Sequence, residues 1–315
     1  MNSQTRCECK KQVRLMGSSF EFIIVEEPEA GYALIETAIE EVKRIETLLT
    51  EFSSTSQISQ INQAAGMDSV SVDEEVYAII KRCNEISNLT QGAFDITAVA
   101  LRKLYNFKGQ HFVWPDEDQI KNALNSVGHH LIDLSKSNAV FLKKSGMHIA
   151  FGAIGKGYAA DCVKKILKER GVENAVINAS GDLTAWGNRL DGSRWKIGIA
   201  DPDKPSNILA WLPIQNSSVA TSGDYEQFVE RNGIRYSHTI DPKTGHPVKG
   251  IKSVTIFGPS AELCDALATA VTIMGVTVGL YFLDQLPNIQ GIIINDRNKI
   301  FTSRYLNWNN GEHHE

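Results

Sequence analysis

Asp265 and Thr269 stand four apart in AELCDALATA, so a helix through this stretch puts a carboxylate and a hydroxyl on one face. Two hard oxygens so placed suit a cation such as Mg²⁺, which takes few protein oxygens and completes its shell with water and phosphates. A threonine bonded back to a helix carbonyl beside a solvated carboxylate accounts for the same pair. A second stretch, FGAIGKGYAAD (Phe151 to Asp161), runs a strand into glycines and then a helix. Backbone N–H groups at a helix start favour an anion, Gly152, Gly155 and Gly157 allow close approach, and Lys156 adds charge. The spacing is neither the dinucleotide fingerprint nor the P-loop, and a plain glycine turn explains it equally well.

Two more stretches carry polar groups beyond the needs of packing. QGAFDIT (Gln91 to Thr97) sets an aromatic and a carboxylate beside a glycine, where a helix stop and turn would also suffice. SHTIDPKTGHPV (Ser237 to Val248) contains DPKTG, with proline and glycine where a tight turn wants them. His238 precedes that turn, and an unperturbed imidazole titrates near neutrality, which suits a proton carrier. His246, beyond the turn, has the weaker case.

Several elements must position these groups. FEFIIV reads as a strand. ALIETAIEEVKRIETLLTEF reads as an amphipathic helix, with apolar residues recurring from Leu34 to Phe52. SSTS then reads as a loop. A helix is expected from about Asp73 to Leu89, and another opens at WPDEDQIKNAL behind Pro115. HLIDL, NAVFLKK and MHIAF read as consecutive strands. A helix follows from Gly157, with Gly171 at its C-terminal end. NAVINA, RWKIGIA, SVTIF and GIIIN are further strands, and SAELCDALATAVTIM is a helix capped by Ser260. Strands and helices are interspersed without strict alternation. That predicts an α+β fold: one compact domain over 13–310 with two lobes and mixed sheets flanked by helices.

The bulk properties exclude some roles. Over 315 residues the formal net charge is −5 with no basic run, so nucleic-acid or membrane-surface binding has no electrostatic support. Of five cysteines, Cys83, Cys162 and Cys264 fall at apolar helix positions and are expected as buried thiols. Cys7 and Cys9 lie in RCECKK, where a soft metal would lack a second thiol pair, and residues 1–12 are read as a mobile N-terminus. No run of eighteen apolar residues occurs, and the first twenty residues lack the apolar core of a secretory signal. The sequence as it stands reads as cytoplasmic, and a periplasmic location would need a leader upstream of it.

Taken in order, MGSSF, LTEFSSTSQISQIN, GAFDIT, GAIGKGYAAD, NASGDLTAWG, SVATSGDY, SHTIDPKTGHPV and CDALATAVTIMG resemble the ApbE family of FAD:protein FMN transferases. The resemblance runs from Met16 to the end of the chain. It implies an enzyme that binds FAD and Mg²⁺, cleaves the pyrophosphate, releases AMP and attaches FMN through a phosphoester to a threonine or serine of a target protein. It implies that Met16 and Phe52 line the flavin pocket, Phe52 standing where the family commonly has tyrosine. Ala93, Phe94, Asp95, Lys156 and the backbone at Thr239 would contact FAD. Asp265 and Thr269 would ligate Mg²⁺, with main-chain oxygens of Ala153 and Ala268. His238 would take the proton of the acceptor hydroxyl, with Asp241 or Asp182 orienting it or meeting the flavin. Ala150 departs from the family, where many members carry aspartate. The chain also lacks the glycine-proline that often follows the FDIT-like motif. Two alternatives stand on the same fold: a Mg²⁺-dependent FAD pyrophosphatase, which needs the same Asp265 and Thr269, and a non-catalytic FAD-binding protein, which needs few of these residues.

Overall fold

The computed structural model describes residues 5–105, 107, 112–223 and 228–306. The chain opens with a hairpin of β1 (Cys7–Leu15) and β2 (Ser18–Glu26), in register from Cys7 opposite Glu26 to Leu15 opposite Ser18. The expectation of a mobile N-terminus through residue 12 therefore fails from Cys7 onward. Cys9 is 1% exposed, and burial pushes its thiol up to about 11. This segment is held by an inward side chain as well as by the ladder.

α1 (Pro28–Leu49) starts on its proline and buries Ile35, Ala38, Ile39, Val42, Ile45 and Leu49 on one face. It stops before Phe52, because Thr50 turns extended. Phe52, counted in the helical pattern, is left 91% exposed. Next come α2 (Gln57–Gln63), capped by Ser56, then β3 (Val70–Ser71) and α3 (Glu74–Leu89). A 3₁₀ turn (Ile96–Ala98) leads into α4 (Val99–Arg102). α5 (Glu117–Leu124) opens with a reciprocal Asp116–Gln119 cap.

The three strands expected between HLIDL and MHIAF are smaller than the sequence implies. Only β4 (Ile132–Asp133) and β5 (Ala139–Leu142) form, behind a 3₁₀ turn at His129–Leu131. MHIAF forms no strand. The Asn62 side chain takes the place of a neighbouring strand there, donating to Ile149 O at 3.0 Å and accepting from Ile149 N at 2.8 Å.

The second half holds α6 (Gly155–Glu169), β6 (Ala175–Ala179), β7 (Asp182–Trp186), β8 (Trp195–Asp201), β9 (Lys204–Ile214) and β10 (Ser217–Gly223). It continues with β11 (Phe228–Arg231), β12 (Ile234–Ile240), β13 (Pro247–Lys249), β14 (Ile251–Gly258), α7 (Ala261–Leu283), β15 (Gln290–Asn295) and β16 (Ile300–Thr302). The stretch SVATSGDY runs past β10 into 224–227, which lie outside the described residues.

The main sheet has eight strands in the order β1-β2-β6-β7-β10-β14-β15-β16. The α+β class is as expected. The sheets, expected to be mixed, are antiparallel at every pairing among the described residues. Strand alternation sends the two faces to different partners. In β15, Ile293 packs with α7, while Ile292 and Ile294 pack with the β8–β9 ribbon on the opposite face. Helices α1, α3 and α6 close the largest core against β1, β2 and β6. α7 is long and apolar enough to cross a membrane by length and composition alone. Its buried residues Cys264, Leu267, Ala268 and Val271 pack with β10, β14 and β15. Cys83 and Cys264 are buried as expected, and Cys162 is half-buried.

Candidate active site

The first turns of α6 and α7 meet backbone to backbone. A Cβ on Gly157 would lie 2.2 Å from Ala261 O, so only glycine lets the two helices approach this closely. The Asp161 carboxylate accepts from Glu262 N at 2.9 Å and caps the start of α7. Burial pushes the Asp161 and Glu262 carboxyls up from their ordinary values; the Arg82 guanidinium, 2.8 Å from Glu262, acts in the opposite direction.

This contact presses Asp265 against the glycine loop. Its Oδ2 accepts from Gly157 N at 3.3 Å and lies 3.9 Å from Lys156 Nζ. Lys156 also forms an ion pair with Asp182, which starts β7. Asp265 and Asp182 are 6% and 2% exposed. Charges so deeply placed must be paired to remain ionised. Asp265 is therefore not the solvated helix carboxylate that the plain reading offered. Thr269 sits one turn further along α7 and is half-buried. Ala268, expected to offer its main-chain oxygen, has that oxygen accepting from Thr272 Oγ1 at 2.8 Å. Ala153 lies in the loop just before α6.

Met16 and Gly17 form the two-residue β1–β2 turn with φ of 48° and 72°. That turn favours Asn-Gly or Gly, so a methionine with positive φ is costly for its shape alone. The Met16 Cε lies 3.5 Å from where a Cβ of Gly155 would stand, so the turn reaches the glycine loop.

The third stretch meets the start of the second: Ala150, just before Phe151, donates its N–H to Ile96 O at 3.1 Å. Ala93 and Phe94 are 4% and 1% exposed, and their N–H groups donate to Thr90 O and Thr90 Oγ1, each at 3.1 Å. The Asp95 carboxylate accepts from Thr97 N, Thr97 Oγ1 and His129 N at 2.8, 2.6 and 2.8 Å. It acts as a bracket between the 3₁₀ turn ahead of α4 and the His129 segment.

The fourth stretch is the expected turn. Asp241 Oδ1 accepts from Lys243 N at 2.9 Å, Asp241 Oδ2 accepts from Thr244 Oγ1 at 3.0 Å, and Gly245 N donates to Asp241 O at 2.8 Å. The Asp241 carboxylate thus serves the turn. His238 and Thr239 lie on β12 just before it, half-buried, and Thr239 N donates to Ser237 Oγ at 3.1 Å. β12 runs against α7, the helix that carries Asp265 and Thr269. A Cβ at Gly92 would lie 3.9 Å from Lys243 Cε, which puts QGAFDIT beside the turn. His246 is exposed, 3.9 Å from Glu117. All four stretches thus converge from separate parts of the chain.

A family model described as the ApbE family matches residues 16–293. The chain belongs to the ApbE family. It is 32% identical over 285 residues to the FAD:protein FMN transferase of Treponema pallidum, covering 83% of this chain and 78% of that protein. A Klebsiella pneumoniae protein of the same name is 32% identical over 292 residues, covering 92% of this chain and 90% of its own. Among solved structures, the ApbE protein of Thermotoga maritima superposes with a TM-score of 0.86 at 30% identity, covering 94% and 97% of the two chains. The flavinyl transferase ApbE of Pseudomonas stutzeri, in its apo form, gives 0.86 at 25% identity, covering 96% and 97%.

Two features of this ApbE chain escaped the sequence. The resemblance sets Asp182 beside His238 or the flavin. The structure pairs it with Lys156, across 26 residues of sequence. The only signal in the sequence was an acidic residue just after Ser180 and Gly181, whose positive φ appears only in the structure. The second is His148, whose Nε2 lies 2.7 Å from Glu51, the neighbour of Phe52. Nothing in the local sequence couples positions 97 residues apart.

Proposed function

We propose that this chain transfers FMN from FAD to a threonine or serine hydroxyl of a target protein and releases AMP, with Mg²⁺ held at Asp265. One observation supports it most: Asp265 is buried where the glycine loop meets α7, beside Lys156 and Gly157 N. In the reaction the acceptor oxygen bonds to the FMN phosphorus and the pyrophosphate P–O bond breaks. AMP leaves with the bridging oxygen.

The donor chemistry fits Mg²⁺. Among the described residues no cluster of three or more His, Cys, Asp or Glu forms a metal site. A cation here would rest on one carboxylate, a hydroxyl, main-chain oxygens and the substrate's phosphates, as Mg²⁺ does. Asp265 and Thr269 would hold it, with Ala153 O. Ala268 O would contribute by sharing with Thr272. Bound there, Mg²⁺ neutralises charge on the phosphoryl oxygens.

The protein's own groups supply the rest. Lys156 keeps two buried carboxylates ionised. The Met16 side chain and the exposed Phe52 ring offer apolar surface for the flavin. The main chain of Ala93, Phe94 and Thr239 offers polar contacts, while Asp95 fixes the segment that carries two of them. His238 takes the proton of the acceptor hydroxyl, which is a weak nucleophile while protonated.

The test is mass spectrometry of threonine-bearing candidate targets incubated with the protein, FAD and Mg²⁺, with AMP measured in parallel. A target that gains FMN in step with AMP is the expected result. AMP without a modified target would make the chain a pyrophosphatase. FAD binding without AMP would make it a binder.

A further inference from the structure

An FAD pyrophosphate brings two negative charges to the glycine loop, and Lys156 is poorly placed to meet them alone. Its ammonium is shared between Asp182 and Asp265. One cation and two carboxylates leave that cluster with a net charge of −1, which draws a metal ion and repels a phosphate. The Gly157 N–H, part of the helix-start anion site, points at Asp265 instead. Before Mg²⁺ binds, these three groups offer the anion no net positive charge, and it needs another cation.

We propose that Arg102 is that cation: a phosphate-binding residue facing the site across Gly152. A Cβ built on Gly152 would come within 4 Å of a single neighbour, Arg102 Nη1 at 3.8 Å, so the guanidinium borders otherwise open space over an exposed glycine. Arg102 is itself exposed, and among the described residues no carboxylate or carbonyl holds it. The contrast with nearby arginines is plain. Arg44 is locked onto Glu41 and Glu75, and Arg82 onto Glu262.

Its backbone is fixed by what surrounds it. Arg102 ends α4, directly after the 3₁₀ turn that Asp95 brackets. The preceding Leu101 is 0% exposed and packs with Tyr105 and with Ile240 of β12, two residues beyond His238. α4 therefore sits between the glycine loop and the strand of the candidate base. A guanidinium suits the task, because its fork can meet two phosphate oxygens at once.

The inference rests on the FAD reading above, and binding measurements separate the two. FAD, riboflavin and inorganic pyrophosphate are titrated without Mg²⁺ against the wild type, Arg102→Ala and Arg102→Lys. Flavin fluorescence reports the first two, and competition with FAD reports the third. Arg102→Ala is expected to weaken FAD and pyrophosphate by about tenfold to a hundredfold, the usual range for a charged hydrogen bond. Riboflavin, which has no phosphate, should bind unchanged. Arg102→Lys should recover part of the loss, and higher salt should narrow the gap between wild type and Arg102→Ala. The side chain is exposed, so Tm should not move. Wild type and Arg102→Ala binding FAD equally would overturn the inference and leave the transferase reading standing. So would an equal loss for riboflavin. A wild type that binds no FAD would sink both.

Discussion

The α6–α7 junction and the three-stranded sheet β11-β12-β13 hold polar groups in opposite ways. At the junction, two carboxylates and a lysine are set by main-chain contact between helix starts, and Asp265 and Asp182 are nearly sealed. In the small sheet, Phe228 and Ile234 are each 41% exposed and Glu230 and Arg231 face outward. Its order comes from the Asp241 turn and from a few core pegs: Leu101, Tyr105 and Ile240. Tyr105 Oη also donates to Gly245 O at 2.8 Å. The difference matches the two tasks proposed. Fixed charge works best when it cannot reorganise, so it belongs on packed helices. A proton carrier must meet a hydroxyl that arrives on another protein, so it belongs on an open ribbon.

The strongest way to break this comparison is Asp265→Asn. Lys156 would keep Asp182, so the cluster goes from a net −1 to neutral and Tm should not fall. FMN transfer and AMP release should fall together by about a thousandfold. Unchanged rates across a Mg²⁺ titration would move the metal elsewhere and leave the junction a structural device.

Gly157→Ala tests the packing half of the comparison. The new Cβ would meet Ala261 O at 2.2 Å, and backbone on both sides cannot yield as a side chain does. A loss of about 3 kcal/mol is expected in urea unfolding. At the turn, Gly245→Ala meets the Ile120 Cγ2 at 2.5 Å and carries a φ of 74°. It should cost less, about 2 kcal/mol, because the Ile120 side chain can shift where the backbone at Ala261 cannot. The reverse ranking would mean that the turn, not the junction, is the rigid region.

His238→Ala asks whether the ribbon moves a proton or merely binds. Transfer should drop by about a hundredfold while FAD affinity holds. If FAD binding fell as far as transfer, the histidine would be part of the pocket wall.

The same contrast explains what the sequence could tell. Helices with a long apolar period were readable: α3, α6 and the start of α7 with its Ser260 cap stand where the spacing put them, and α1 is displaced only at its ends, starting at Pro28 and stopping at Leu49. Elements fixed by distant partners were not. β1 reads as a charged tail until β2 pairs with it. MHIAF reads as a strand until the Asn62 side chain occupies its main chain. The candidate site shows the same split. Local spacing offered Asp265, Thr269 and Lys156 only beside plain alternatives, and the Lys156–Asp182 pair, with the sign of the local charge, exists only in three dimensions.

The smallest effect lies where the junction is buttressed. Glu75 of α3 accepts from Arg44 of α1 at 2.6 and 2.9 Å and from Tyr158 Oη of α6 at 2.6 Å. Hydrogen bonding to Arg44 holds its carboxyl below the ordinary value of 4.5, with Tyr158 adding to the shift and burial opposing it. A carboxylate with a lowered folded pKa stabilises the protein above its unfolded value, and that stability is lost as pH falls through the folded one. The pair is partly open to solvent, so the contribution should stay under about 1 kcal/mol. Urea unfolding of wild type and Glu75→Gln between pH 3 and pH 7 should show a gap that is full at neutral pH and closes below pH 4.5. A gap that stayed constant down to pH 3 would mean that Glu75 contributes shape and not charge. The charge pairing that matters would then be confined to Lys156 and its two carboxylates.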